Sequence, residues 1–254
     1  MTTLDQHLTH LYLKRLLASA EGRAFILNQC AQAEASDEGQ VFDSLARNVD
    51  DPELRKLVRI HQQDEQRHAE LFNACLARHG GKPSTVPEEL RLIERIAKKL
   101  NNLFARPIEG PQSVMEHYLL LQVIEERALT QFAVFEQAFR AIDPETAEVF
   151  AEVARDEERH LKYCHAIARR YAPSREVHEA TLRRMRELEL DAFTENSRAV
   201  MLHTLDLGLA KVGWLEKKMW RALASLNTAR GKKQRTPFWD QGVDSRLTSL
   251  AVAA

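Results

Sequence analysis

Glycine and proline are scarce in this 254-residue chain, at nine and eight residues, and cysteine is rarer still at three. So few chain-breakers, in a sequence rich in the strong helix formers Ala, Leu, Glu and Arg, predict an all-α protein. No Asn-Gly or Asp-Gly pair sits between alternating apolar runs, so nothing marks a β-hairpin. Cys30, Cys75 and Cys164 are odd in number and never spaced C-x-x-C. That excludes a disulfide framework and a zinc ribbon, and predicts buried thiols in a reducing compartment. No run of about 18 apolar residues occurs, and residues 1–7 lack the basic-then-apolar order of a targeting segment. A cytoplasmic location is the expectation. The net charge of −1 excludes a chain that is basic throughout.

Breaks fall at Asp50-Asp51-Pro52, Gly80-Gly81-Lys82-Pro83, Ile108-Glu109-Gly110-Pro111, Asp143-Pro144 and Pro173-Ser174. Pro suits the first helical turn and Gly the residue after the last, so each break predicts a helix boundary. The spacing predicts a leading helix near 4–18, then helices near 20–48, 53–79, 87–103, 112–141 and 145–172. A helical region follows to about residue 228, and then a loose tail.

One five-residue string occurs twice, as Asp64-Glu65-Gln66-Arg67-His68 and Asp156-Glu157-Glu158-Arg159-His160. Each holds Glu-x-x-His, which on a helix sets a carboxylate and an imidazole one turn apart on nearly one face. Although the chain has 25 Glu and 10 His, no third copy of Glu-x-x-His exists. The two copies are offset by 92 residues, and the same offset lays Asp51-Pro52-Glu53 on Asp143-Pro144-Glu145. Seven of 18 positions from 51 to 68 repeat at that offset. Two matching helical hairpins joined by a crossover over about 80–111 describe a four-helix bundle of ferritin-like topology.

In such bundles a dinuclear site takes Glu-x-x-His from two helices and one more inward Glu from each of two others. Periodicity does not choose between Glu125 and Glu126, but the offset maps Glu126 onto Glu34 and Glu125 onto Ala33. The expected ligands are therefore Glu34, Glu65, His68, Glu126, Glu157 and His160. A carboxylate in an apolar stripe is costly to bury unless paired or metal-bound. A thiolate-poor mixture of oxygen and nitrogen suits two iron ions, with manganese as the alternative. Asp64 and Asp156 are expected to accept the second ring N–H of the ligand histidines crosswise, Asp64 from His160 and Asp156 from His68. Arg67 and Arg159 would pair with those carboxylates. His61, which maps onto Val153, is either an outer partner of the site or a core histidine. Glu38 and Thr130, one turn beyond Glu34 and Glu126, are candidates for the open side, and metal binding by Glu125 or Glu38 stays open.

With these residues the chain resembles the ferritin-like di-iron carboxylate superfamily over roughly 20–172. Rubrerythrins, aldehyde-deformylating oxygenases, the tRNA-modifying di-iron hydroxylase and bacterial multicomponent monooxygenases share the pattern. The resemblance implies an oxidase or oxygenase that activates O2 or peroxide toward an organic small-molecule substrate. It implies Glu65 and Glu157 as bridging ligands and Glu34 and Glu126 as terminal ones. Thr130 would be a catalytic residue, as in the monooxygenase hydroxylases. A substrate pocket is expected beside Leu119, Val123 and Phe132. Electrons must come from an external donor, since no flavin, nicotinamide or iron–sulfur motif is present. The paired C-x-x-C of a rubredoxin-type domain is absent. The alternative function is iron sequestration with incidental ferroxidase turnover.

Residues 173–254 form a second region, a helical extension that packs on the bundle (1–172) or on a partner such as a second copy of the chain. It holds 14 Lys or Arg against 10 Asp or Glu, a balance of +4 that leaves −5 for residues 1–172. Within 211–235, eight basic residues face Glu216 alone. Such a basic amphipathic helix, with its stripe Leu205, Leu209, Val212, Leu215, Met219, Leu223 and Leu226, packs on the body, or else meets a membrane or RNA. Phe238 and Trp239 are expected to anchor the tail.

Overall fold

The computed structural model describes residues 3–35 and 38–233, with side chains for 8–35 and 42–225. These residues form an all-helical molecule with no strand among them. In chain order the helices are α1 (Thr3–Leu17), α2 (Ala20–Glu34), α3 (Glu38–Asn48), α4 (Pro52–Arg78) and α5 (Leu92–Lys99). They continue with α6 (Gly110–Phe139), α7 (Pro144–Arg170), α8 (Arg175–Asp206) and α9 (Trp214–Lys233). Helix α2 packs on α4 and α6 packs on α7, and the two pairs meet through α4 and α7. Helix α8 lies along α6 and α5, and α9 packs on α8.

The duplicated Asp-Pro explains why α4 and α7 start alike. Asp51 accepts from the backbone N–H of Glu53 and Leu54, and Asp143 from those of Glu145 and Thr146. A proline with no N–H of its own takes the first helical position beside each cap.

Two predicted spans divide differently. The stretch near 20–48 is two helices, because α2 stops at Glu34 and Ala35 turns its N–H back to the Ala31 carbonyl. Ser36-Asp37 follows in the sequence, a pair of N-cap residue types that signals a fresh start. The stretch near 87–103 is the short α5 between two 3-10 turns, Glu88–Leu90 and Leu103–Ala105. Asn101 and Asn102 end α5 at φ of 51° and 54°, a left-handed backbone that Asn tolerates better than most residues.

The apolar interior is divided in two. One core gathers Val58, Val114, Tyr118, Leu121, Cys164 and Ile167 with residues of α3 and α5. The other gathers Leu27, Phe72, Phe132, Phe139, Phe150 and Val153 with residues of α1 and α9. Along α4 the inward stripe runs Val58, His61, Glu65, His68, Phe72, Cys75, in steps of three and four. Along α7 it runs Phe150, Val153, Glu157, His160, Cys164, Ile167. The polar members of both stripes fall between the two cores. All three cysteines are buried and free.

The extension is fastened by charge as well as by packing. Arg127 of α6 makes a bidentate pair with Glu189 of α8 at 2.7 and 2.8 Å, and its guanidinium lies 4.0 Å from the centre of the Phe193 ring. Of the basic segment's apolar residues, Trp220 and Ala224 are buried against the body, but Leu215 and Met219 are exposed. No helix among the described residues is long and apolar enough to cross a membrane. Phe238 and Trp239 lie outside the described residues.

Asp143 also meets His79 at 3.0 Å and Arg78 at 3.5 Å, so one cap ties the end of α4 to the start of α7. Burial works to raise its pKa, but hydrogen bonds from Thr146 outweigh it and bring the value down to about 2. Replacing Asp143 by Ala should cost about 1 kcal/mol at neutral pH, read as a shift in denaturation midpoint. A lowered carboxylate pKa stabilises the fold above the unfolded value and is lost below it. The deficit should therefore shrink as pH falls from about 4 toward 2.

Candidate metal centre

Seven ionisable side chains converge between the two cores. Two groups of four are close enough to hold an ion each: His61, Glu65, Glu125 and His160, and Glu34, Glu65, His68 and Glu157. Within each group the ligand atoms all lie within 4.8 Å of one another, and Glu65 belongs to both. Three come from α4, one each from α2 and α6, and two from α7. All three imidazoles are fully buried, and Glu65, the most exposed of the four carboxylates, keeps 13% of its side-chain surface.

The spacings suit a cation. His61 Nε2 lies 2.9 Å from Glu65 Oε1 and 3.0 Å from Glu125 Oε1. His68 Nδ1 lies 3.4 Å from Glu34 Oε2 and 3.2 Å from Glu157 Oε1. His160 Nδ1 lies 2.7 Å from Glu157 Oε2, so the two oxygens of Glu157 face two different imidazoles. Ligand atoms at right angles around an ion with bonds of about 2.1 Å sit roughly 3 Å apart. Moreover His61 Nε2, Glu65 Oε1 and His68 Nδ1 are buried with no aligned hydrogen-bond partner. Buried polar atoms are seldom left that way, and here all three point into one cluster. The residues therefore fit a bound metal.

The outer ring nitrogens are held crosswise. His160 Nε2 is 3.2 Å from Asp64, and His68 Nε2 is 3.2 Å from Asp156. Arg159 donates to both Asp64 and Asp156, and Arg67 donates to Asp156 and Glu152. Each aspartate thus accepts from an imidazole of the opposite hairpin, an arrangement that turns both Nδ1 atoms inward. His61 reverses the polarity, with Nδ1 on the Tyr163 hydroxyl and Nε2 inward.

Two expected residues stand elsewhere. Glu126 is buried but outside the cluster: Arg186 of α8 grips it at 2.6 and 2.8 Å, and Gln122 donates to it at 3.0 Å. Glu125 takes the inward place, on the α6 stripe of Val114, Tyr118, Leu121 and Phe132. The 92-residue offset misleads here because, among the described residues, no guanidinium holds Glu34 as Arg186 holds Glu126. Thr130 is displaced with it. Its hydroxyl donates to the Glu126 carbonyl at 2.9 Å, and five residues beyond Glu125 places it about 140° around the helix. Leu119 and Val123 belong to one core and Phe132 to the other. The side chain of Glu38 lies outside those described.

Without a cation, protons take its place. Burial, then Glu34 and Glu157, push Glu65 well above the usual carboxylate range. Burial and Glu157 bring Glu125 up to about 7. Burial disfavours charge on His68 and His160, yet Glu157 and Glu34 hold His68 up at about 10, and Asp64 and Glu157 hold His160 at about 9. His61, buried and stacked on His160 at 3.8 Å, falls to about 4. Groups that bind protons more tightly folded than unfolded favour folding at low pH and lose that advantage as pH rises. The metal-free protein should therefore lose thermal stability from about pH 6.5 to 10, through the upper part of the Glu125 titration, then His160 up to about 9 and His68 up to about 10. Thermal melts with saturating Mn(II) should show a flatter profile, since the ion displaces those protons. A pH-independent melting temperature without metal would contradict this account.

No protein-family model, curated protein or solved structure matches this chain.

Proposed function

We propose that this chain is a ferritin-like di-iron carboxylate oxidoreductase, with manganese as the alternative metal, that activates O2 or peroxide to oxidise a small organic substrate. The observation that carries the reading is the convergence of four carboxylates and three imidazoles from helices of two hairpins, with three of their enclosed atoms, His61 Nε2, Glu65 Oε1 and His68 Nδ1 on α4, lacking an aligned hydrogen-bond partner. Charge supports a count of two. Four ionised carboxylates carry −4 against neutral imidazoles, and two divalent ions balance that charge. Bound iron would supply the one-electron steps that O2 chemistry needs, with electrons from an external donor.

The protein's own work is then plain. Glu65, common to both groups, would hold the pair together, and the two oxygens of Glu157 face two imidazoles. Asp64 and Asp156 keep His160 and His68 in the tautomer with inward Nδ1. The two cores keep bulk water from both ends. Three buried free thiols suit a reducing cytoplasm.

Anaerobic Fe(II) loading should give two irons per wild-type chain, followed by O2 uptake that continues while a reductant is supplied. Uptake that stops once the bound iron is oxidised would point to sequestration instead. Glu65→Ala should weaken binding of both ions at least tenfold while far-ultraviolet circular dichroism stays helical, since outer partners of metal sites alone typically account for about 10–100-fold. Retention of both irons at wild-type affinity would refute the site.

A separate observation favours a second, compatible role. Helix α9 exposes Trp214 at 71% and Leu215 at 73%, beside Lys211, Lys217, Lys218 and Arg221. Apolar side chains among cations suit an anionic lipid surface. Sedimentation with phosphatidylserine-containing vesicles should retain the chain at low salt and lose it with Leu215→Glu. Binding that ignores both salt and this substitution would dismiss the role.

A further inference from the structure

The two groups of ligands are not equivalent. Setting Glu65 aside as shared, one group has two imidazoles and one carboxylate, His61, His160 and Glu125. The other has one imidazole and two carboxylates, His68, Glu34 and Glu157. The extra imidazole comes from a single stripe position. His61 and Val153 occupy matching places in the two hairpins, one turn ahead of Glu65 and Glu157. In the second hairpin that place is ordinary core, since Val153 is fully buried among apolar side chains. In the first it carries an imidazole that is likewise fully buried, with Nε2 aimed into the cluster, 2.9 Å from Glu65 and 3.0 Å from Glu125 but without an aligned hydrogen bond.

A neutral imidazole presents a lone pair on one nitrogen only if the other carries the proton. Tyr163, on α7 one turn past His160, meets His61 at Nδ1 and lies 5% exposed. With Nδ1–H donating to the Tyr163 oxygen, Nε2 is left as the free donor atom. Phe42 covers the ring from one side at 4.5 Å and His160 stacks on it at 3.8 Å, so its orientation is fixed by packing.

We infer that His61, oriented by Tyr163, is a third imidazole ligand that makes one metal position nitrogen-rich and the other oxygen-rich, so that the pair discriminates between cations position by position. This rests on the dinuclear reading above. Imidazole donors favour iron and later divalent metals, whereas carboxylate sets suit manganese, so the position built on His61 and His160 prefers Fe(II) and the position built on Glu34 and Glu157 accepts Mn(II) more readily.

The test is an anaerobic competition titration with a chromophoric chelator, Fe(II) and Mn(II) run separately, on the full chain. Wild type should show two sites per chain for each metal, with a larger Fe(II)-over-Mn(II) preference at one site than at the other. His61→Val, which copies the matching residue of the second hairpin, should weaken Fe(II) at one site by about tenfold or more and leave Mn(II) at the other unchanged. Tyr163→Phe, which keeps the ring and removes only the hydroxyl, should weaken the same site by about tenfold, with two ions still bound at saturation. It decides the matter should His61→Val fail to fold. Unchanged affinities in Tyr163→Phe and His61→Val, or equal losses at both sites, would overturn the asymmetric assignment while leaving a dinuclear centre standing. A wild-type chain that binds fewer than two ions would overturn both.

Discussion

The constraint on which everything else rests is the burial of four carboxylates and three imidazoles in the middle of a helical interior. Removing an ion from water costs several kcal/mol even after relaxation, and nearby like charges add to it. That cost is set against a domain stability of only about 5–15 kcal/mol. Protons offset part of it, as the raised pKa values of Glu65 and Glu125 indicate. Divalent cations would offset it more fully, and would satisfy the atoms that hydrogen bonds leave over. A fold selected for stability alone would put leucine at these positions, because the stripes that hold them are apolar on both sides.

The surroundings of the cluster are organised to be neutral. Asp64 and Asp156 are each matched by an arginine as well as an imidazole. Glu126 is matched by Arg186, and Arg127 by Glu189. Of the buried carboxylates among the described residues, the ones without a guanidinium partner are those of the converging cluster, the place where a cation would compensate them. Helix α8 has a part in this. By engaging Glu126 it keeps an eighth ionisable group from adding to the cluster.

Much of this was legible from the sequence, and the failures have definite causes. The Asp-Pro caps and the paired Glu-x-x-His strings are local, so spacing alone placed Glu65, His68, Glu157 and His160 on inward faces and anticipated the crosswise aspartates. Glu126 was chosen by a repeat that holds for α4 and α7 but breaks where α8 packs on α6. A better signal was present. The stripe Val114, Tyr118, Leu121, Glu125, Ala128, Phe132 advances by four and three without interruption, and only Glu125 fits it. The same regularity, Val58 to His61 to Glu65 to His68 to Phe72, marks His61 as a core position with a nitrogen in it. The break after Glu34 is marked in the sequence only by Ser36-Asp37, without a proline such as Pro52, Pro83, Pro111, Pro144 or Pro173.

The division of the apolar interior carries a consequence for how the molecule comes apart. Each half has its own packed side chains, and the layer between them attracts only when its charges are compensated. Filling that layer with cations would join the halves into one cooperative unit, while emptying it would let either loosen without the other. Metal supply would then set how the chain resists proteolysis and turnover, quite apart from any chemistry done at the centre.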